Sequence, residues 1–142
     1  MQTLKAKKGV QVKLTNKQFL EIFHTLQETR TARGVRYALI VISNSEAISA
    51  HLKELDEAAK PSEEFIELSV KARELIQEEK FEELEQLEQA NKEIVEARKA
   101  TMDEINAKML EEATLELKMI PEEFLPSDIT AEQLEKLMPI IQ

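Results

Sequence analysis

The amino-acid sequence predicts a mainly α-helical protein, a helical bundle or long helical hairpin, with a small antiparallel ribbon joining the two ends of the chain. Only two of its 142 residues are glycine and 33% are charged, which is typical of helix-rich proteins. Apolar residues recur at helical spacing through most of the chain. Two segments alternate apolar and polar residues instead, VQVKLT at 10–15 and TLELKMI at 114–120, and this period of two indicates half-buried strands.

The two strands, at about 9–15 and 114–120, are expected to pair antiparallel, because neither can satisfy its backbone hydrogen bonds alone. A two-stranded sheet is marginally stable by itself, so helices should cover its apolar face. This pairing would place the start of the chain beside the end of its long helical section.

The first helix is predicted to begin at Thr15, where T-x-x-Q forms a capping box with Gln18. It should stop near Arg30, with Gly34 acting as a C-cap in the connection that follows. Its apolar face comprises Phe19, Ile22, Phe23 and Leu26.

The apolar run YALIVI at 37–42 fits either a buried strand or a buried helix when it is taken alone. Apolar residues then recur from Val41 to Ala59 at spacings of seven, four, three and four. We therefore predict one helix from about Val35 to Ala59, with its first half buried almost all round, and Pro61 ends it.

A single helix over residues 62–112 would be about 76 Å long, whereas a compact domain of this size has a radius of gyration of about 14–15 Å. The apolar phase slips across residues 77–80, so a turn is expected there, followed by a helix from about Phe81 to Glu112. The segment 62–112 is thus predicted to be a helical hairpin or coiled-coil section, folded back on or projecting from a single domain spanning 1–142. Its candidate helix-pairing stripe comprises Leu84, Leu87, Ile94, Met102, Ile105 and Met109.

A short last helix is predicted after the second strand, beginning with a second T-x-x-Q box at Thr130 and Gln133. Pro139 should end this helix. Ile140 and Ile141 are too apolar for a free tail, so we expect them to dock.

Charge is distributed unevenly along the chain, whose net charge is −9. Residues 1–42 carry eight Lys or Arg and two Glu, whereas residues 43–142 carry eleven basic and 26 acidic residues. The acidic part argues against direct nucleic-acid binding, although phosphate contacts are conceivable at Lys5, Lys7, Lys8 and Lys13. With no cysteine and no long apolar run, we expect no disulfide, no signal peptide, no membrane span and an intracellular location.

No catalytic site, metal site or cofactor is predicted. Glu21 and His24 have the E-x-x-H spacing of di-metal helical bundles, but a second such motif is missing. The many Glu pairs are typical of solvated helix surfaces. The sequence also lacks a Gly-rich phosphate loop and a nucleophile elbow.

The best candidate contact site surrounds the turn at Gly34 and comprises Arg30, Arg33, Arg36 and Tyr37. Arginine and tyrosine are enriched at interface centres, and arginine binds carboxylate or phosphate in a fork. A solvated turn with snorkelling side chains would show the same residues. A second candidate is an acidic face formed by Glu82, Glu83 and Glu85.

Three stretches, VKLTNKQFLEIFHTLQE, GVRYALIVISNSEAISAHLKELDEA and LELKMIPEEFLPSDITAEQLEKLMPIIQ, carry a resemblance to a known family. They resemble small proteins of unknown function that are encoded by tailed bacteriophages and prophages of Gram-positive bacteria. The closing pattern, a strand, an I-P and then a helix ending in P-I-I, is the most specific part. The resemblance implies phage origin and the order of elements, and it carries over no active-site residue.

The sequence therefore favours a non-enzymatic phage protein that acts by protein–protein contact in the cytoplasm of an infected or lysogenic host, or in the virion. One expected role is structural or accessory assembly, through self-association of the long amphipathic helices. The alternative is an acidic inhibitor that acts as a decoy for the basic nucleic-acid-binding surface of a host enzyme or defence complex.

Overall fold

The computed structural model describes residues 9–142 and confirms a mainly α-helical fold with a small two-stranded antiparallel sheet. Within those residues the strands are β1 (Val10–Thr15) and β2 (Glu112–Leu117). The helices are α1 (Asn16–Glu28), α2 (Val35–Ala59), α3 (Glu63–Gln77), α4 (Phe81–Ala90), α5 (Lys92–Met109) and α6 (Ala131–Leu137). Two 3-10 turns, Glu122–Phe124 and Met138–Ile140, flank α6.

The chain divides into two compact units. The first comprises the described residues up to Glu54 together with Lys108–Gln142, and the second is Leu55–Ala107. That residues 1–142 behave as a single domain stays a prediction.

The ribbon pairs Val10 with Leu117 at one end and Thr15 with Glu112 at the other. Side chains alternate as expected, with Val12 and Leu117 buried. The second strand begins two residues and ends three residues earlier than the predicted range of about 114–120, since β2 spans Glu112–Leu117. The ladder ends there, and the backbone groups of the next residue, Lys118, pair with the side chain of Asn44 instead.

The backbone beyond β2 is held by a buried asparagine. Asn44 is 1% exposed, and its Nδ2 donates to the carbonyl oxygen of Lys118 at 2.9 Å. The backbone N–H of Lys118 in turn donates to Asn44 Oδ1 at 2.8 Å. The side-chain amide thus replaces a neighbouring strand, since it offers the same donor and acceptor that a peptide group would.

A second buried asparagine joins the start of α1 to the end of α5. The backbone N–H of Asn16 donates to the carbonyl oxygen of Glu111 at 3.0 Å, and its Nδ2 donates to that of Lys108 at 2.8 Å. The last carbonyls of a helix have no partner inside the helix, so Asn16 caps α5 from a distant part of the chain.

The core of the first unit contains Phe19, Ile22 and Leu26 of the predicted apolar face of α1 and the C-terminal end of the chain, whereas Phe23 is half-buried. Both T-x-x-Q capping boxes form, at Thr15 and at Thr130. The backbone N–H of Ile120 donates to the carbonyl oxygen of Ile140 at 2.7 Å, and Ile140 is fully buried. The predicted docking of the C-terminal isoleucines is therefore confirmed, and Ile120 forms a parallel bridge with Ile141.

Helix α2 has the predicted bounds, but the expectation that its first half is buried almost all round was wrong. Val35, Leu39 and Ile42 are 76%, 58% and 55% exposed. Gly34 also has a different role from the one expected. Its φ is 120° and its carbonyl oxygen accepts from the N–H of Ala38, so it precedes α2, whereas α1 ends at Glu28 with Thr29 as its C-cap.

The second unit contains the predicted turn at 77–80, where Glu79 adopts a φ of 57° between α3 and α4. The continuous helix expected from Phe81 to Glu112 was wrong. It is interrupted at Asn91 and ends at Met109. Asn91 Nδ2 donates to the carbonyl oxygen of Leu87 at 2.9 Å. An asparagine side chain that bonds in this way competes with the backbone for helical hydrogen-bond partners, which explains the interruption.

Replacing Asn44 by alanine should destabilise the first unit. Asn44→Ala leaves the N–H and carbonyl of Lys118 without their partners, so the free energy of unfolding should fall by about 1–3 kcal/mol. Urea unfolding followed by circular dichroism measures this change. The exposed Ser49→Ala on the same helix is the control and should stay within about 0.5 kcal/mol of the parent. Equal stability of Asn44→Ala and the parent would contradict the assigned role of Asn44.

Candidate interaction surfaces

The three arginines of the predicted contact site are exposed at the turn between α1 and α2. Arg30, Arg33 and Arg36 form no ion pair with any residue in the described range 9–142. The guanidinium carbon of Arg36 lies 5.1 Å from the centroid of the Phe124 ring, a cation–π distance. This leaves three cationic groups open to solvent, and their role as a contact site stays a prediction.

Tyr37, the fourth residue proposed for this contact site, is in the core instead. It is 1% exposed, and its hydroxyl lies 2.7 Å from Thr29 Oγ1. The Thr29 hydroxyl can donate to the carbonyl oxygens of Thr25 and Leu26, which leaves the tyrosine hydroxyl as donor. Burial raises the pKa of Tyr37, and the hydrogen bond to Thr29 opposes this rise only in part. Tyr37 therefore supports the turn from inside and does not face a partner.

An apolar stripe lies on the exposed face of α2 and was missed by the sequence prediction. Val35, Leu39 and Ile42 follow each other at spacings of four and three, so they share one face of the helix. Glu46 continues this face one turn later and is exposed. An unbroken apolar run has the same sequence pattern whether one face of its helix is exposed or the helix is buried all round. The charged residue Glu46, on the same face as Ile42, was the feature of the sequence that could have predicted an exposed face.

The hairpin of the second unit is built on a heptad seam. The seam positions follow spacings of three and four and are Phe65, Leu68, Ala72 and Leu75 on α3, and Leu84, Leu87, Asn91, Ile94, Arg98, Thr101 and Ile105 on α4 and α5. Helix α3 packs against α4, and the Arg98 guanidinium carbon lies 5.5 Å from the Phe65 ring centroid. The short turn and this contact make the hairpin antiparallel.

The predicted helix-pairing stripe only partly coincides with this seam. Leu84, Leu87, Ile94 and Ile105 lie in it, whereas Met102 lies beside it. Ile105 is buried, and the other predicted stripe residues, Met109 included, are half-buried. The seam positions that the sequence prediction left out on α4 and α5 are polar, namely Asn91, Arg98 and Thr101.

The two flanks of the seam differ in chemistry. In an antiparallel pair, equivalent heptad positions of the two helices lie on the same side. The first flank, named here the apolar flank, comprises Ser62, Ser69, Ile76, Phe81, Glu88, Val95 and Met102. The other flank comprises Glu64, Lys71, Glu78, Glu83, Ala90, Ala97 and Glu104. On the apolar flank, Ile76, Phe81 and Val95 are 52%, 60% and 37% exposed.

The candidate acidic face lies at the start of α4, where Glu82, Glu83 and Glu85 are exposed. None of the three forms an ion pair with a described residue. Glutamates in the first turn of a helix are stabilised by the helix dipole, which is a sufficient structural reason for Glu82 and Glu83. Residues 74–90 carry seven glutamates and one lysine, a net charge of −6, and that lysine, Lys80, is paired with Glu78 at 2.9 Å.

No metal centre is formed by the E-x-x-H motif on α1. Glu21 is half-buried and His24 is exposed, and no group of three or more His, Asp or Glu residues within 9–142 is placed to hold a metal ion. The second histidine, His51, has a structural contact, with its Nε2 2.8 Å from Asn16 Oδ1.

The chain matches no protein-family model, no curated protein and no solved structure. Its resemblance to phage proteins therefore stays a prediction.

No helix within residues 9–142 is long and apolar enough to cross a membrane. The basic residues Lys5, Lys7 and Lys8 lie outside the described residues, whereas Lys13 is exposed and forms an ion pair with Glu112 at 3.6 Å.

Titration of the single tyrosine should report its burial. The chain has one tyrosine and no tryptophan, so phenolate absorbance in the ultraviolet reports Tyr37 alone. Burial raises its pKa above 10.0, so the stability linked to Tyr37 is fully present below that pH. This stability falls as the pH rises through the folded-state pKa. The denatured chain is the control and should titrate at about 10. Equal midpoints in the two states would contradict a buried phenol.

Proposed function

We propose that the protein is non-enzymatic, acts by protein–protein contact, and self-associates through the hairpin formed by α3, α4 and α5. The observation that carries this proposal is the apolar flank of the hairpin, which is left open beside a core of very few buried side chains. No constellation of catalytic residues was found in the sequence.

The core of the second unit is thin. Among residues 55–107, Leu68 and Ile105 are the buried side chains, and the remaining seam positions are half-buried. Small units usually need additional burial, disulfides, metals or oligomerisation to offset the conformational entropy of the chain. The chain has no cysteine. A second copy packed on the apolar flank would supply the burial that the hairpin lacks.

The expected strength of this association is moderate. Full burial of a large apolar side chain contributes about 1.5–3 kcal/mol, and Ile76, Phe81 and Val95 are each about half exposed. Six such side chains in a pair of copies would contribute roughly 4–9 kcal/mol. Association itself costs about 4–15 kcal/mol. Because these two ranges overlap, burial and the cost of association nearly balance, and a weak dimer whose population depends on concentration is expected.

Charge favours an antiparallel arrangement of the two hairpins. The end of the hairpin, residues 74–90, has a net charge of −6, whereas residues 92–108 carry four basic and four acidic residues. A parallel pair would place the two acidic ends side by side. An antiparallel pair related by a two-fold axis places each acidic end beside the neutral α5 of its partner, in the manner of a four-helix bundle.

The biological setting of this proposal is a phage or prophage. It rests on the resemblance of the three quoted sequence stretches to phage proteins. In that setting the protein would be a structural or accessory part of particle assembly in the host cytoplasm or in the virion. Detection of the chain in purified particles would distinguish a virion component from a factor that acts only in the cell.

Replacing two residues of the apolar flank should weaken self-association. Light scattering coupled to size exclusion measures the mass, which should rise with concentration from 16.3 kDa towards a dimer. Phe81→Lys with Val95→Lys should raise the dissociation constant by about tenfold or more, because lysine cannot be buried there without loss of its hydration.

The matched control is Val70→Lys. Val70 is an aliphatic residue of α3 that is 49% exposed, and its position on the helix lies opposite the seam. This variant should dimerise like the parent. A parent that stays at 16.3 kDa at every concentration, or equal weakening by the control, would contradict the proposal.

A second candidate function is favoured by the exposed acidic end of the hairpin. Seven glutamates in residues 74–90 could imitate the phosphates that a basic DNA-binding surface recognises. The protein would then displace DNA from such a surface in a host enzyme or defence complex. This mechanism depends on the charge of Glu82, Glu83 and Glu85, whereas dimerisation depends on the apolar flank.

Charge reversal separates the two functions. If the decoy mechanism holds, replacing Glu82, Glu83 and Glu85 by lysine should reduce displacement of labelled duplex DNA from basic host proteins by about tenfold. Fluorescence anisotropy measures this displacement. The control, with Glu122, Glu123 and Glu135 replaced by lysine, has the same change in net charge and should displace DNA like the parent. Undiminished displacement by the first variant would rule out the decoy mechanism.

A further inference from the structure

The exposed stripe on α2 and the arginines beside it form a second interaction surface, which lies in the first unit. We propose that Val35, Leu39 and Ile42, flanked by Arg30, Arg33 and Arg36, bind an acidic amphipathic helix of another protein. This proposal does not depend on self-association of the hairpin. These six residues form the basic–aliphatic face.

The aliphatic part has the dimensions of a helix-docking stripe. Val35 and Ile42 are about 10.5 Å apart along the axis, or two turns. All three side chains are more than half exposed, whereas the opposite side of α2 is buried through Tyr37, Asn44 and Ile48. A partner helix with apolar residues at i, i+4 and i+7 matches this spacing, as in helix-in-groove recognition.

The charge of the face specifies an acidic partner. Three of the five arginines of the chain lie here, in a protein with a net charge of −9. None of them is paired with a carboxylate of a described residue. Arginine binds carboxylates through two parallel hydrogen bonds, and a partner helix with Asp or Glu beside its apolar stripe would supply these acceptors.

A second copy of the chain fits this face less well. In an antiparallel pair of α2 helices, Leu39 would lie opposite Ile42 of the other copy and Arg36 would approach its Glu46. Arg33 would then lie opposite Ser49, which offers no negative charge. A parallel pair would place like arginines together.

An anionic lipid surface also fits the face less well than a helix does. Aliphatic residues with arginines are typical of helices that lie on anionic membranes. However, Glu46 continues the same face one turn after Ile42, and Glu28 precedes the arginines, and both are exposed. These carboxylates would be repelled by anionic headgroups. A partner helix, in contrast, needs to contact only the two turns from Val35 to Ile42.

Binding of designed peptides to the full-length protein tests the proposal. The probe is a labelled helical peptide with leucine at i, i+4 and i+7 and glutamates on both sides of this stripe. Two matched peptides replace either the glutamates by lysine or the leucines by serine. Fluorescence anisotropy should show that the first peptide binds about tenfold or more tightly than either of the others.

Variants of the chain locate the binding site. Leu39→Ser with Ile42→Ser, and separately Arg30→Glu with Arg33→Glu, should each weaken binding of the acidic peptide by about tenfold. Arg36 is kept because it contacts Phe124. The controls, Ile66→Ser and Arg73→Glu, change an exposed aliphatic residue and an arginine of the second unit, and they should bind like the parent.

Four results would overturn the proposal. The first would be that the acidic striped peptide binds no more tightly than the two matched peptides. The second would be that the variants of the basic–aliphatic face leave its binding unchanged. Loss of dimer mass in Leu39→Ser with Ile42→Ser would instead assign the face to a second copy. Binding to phosphatidylglycerol vesicles that is lost in the same variant, without peptide binding, would assign it to a membrane.

Discussion

Two buried asparagine side chains join distant segments of the first unit, because they fix how α2 meets the backbone after β2 and how α1 meets the end of α5. Asn44 pairs with both backbone groups of Lys118, 74 residues away, and Asn16 caps the helix end at Lys108, 92 residues away. Closing such long loops costs conformational entropy. The buried asparagines favour one register among the many that apolar packing would accept, because any shift leaves buried polar groups without partners.

The two units differ in how many side chains they bury to offset the conformational entropy lost on folding. Of the fifteen buried apolar side chains among the described residues, thirteen lie in the first unit, on α1, α2, the ribbon and the docked C-terminal end. The second has two buried side chains and half-buried seam positions. Free energies of local opening follow the number of buried contacts, so the hairpin is expected to open more readily than the first unit. This is the physical reason for proposing self-association at the hairpin.

The two proposed surfaces have opposite character and lie on different units. The hairpin combines an apolar flank with an acidic end, whereas α2 presents aliphatic residues beside arginines that have no ion-pair partner among the described residues. The apolar flank, whose one charged residue is Glu88, would select a copy of itself through shape and burial. A face with three arginines selects a carboxylate-bearing partner, because discrimination between partners comes mainly from electrostatic complementarity. The variants proposed for one surface leave the residues of the other intact.

The sequence by itself determined the helical class, the capped helix starts at Thr15 and Thr130, the bounds of α2 and the turn near residues 77–80. These features depend on local spacing and local hydrogen bonds, which are written in neighbouring residues. Only the tertiary structure decided which face of α2 is exposed, that Tyr37 is buried, and where β2 ends. Each of those depends on contacts between residues far apart in the chain. The exposed aliphatic face and the buried tyrosine lie within the same apolar run, and periodicity alone could not separate them.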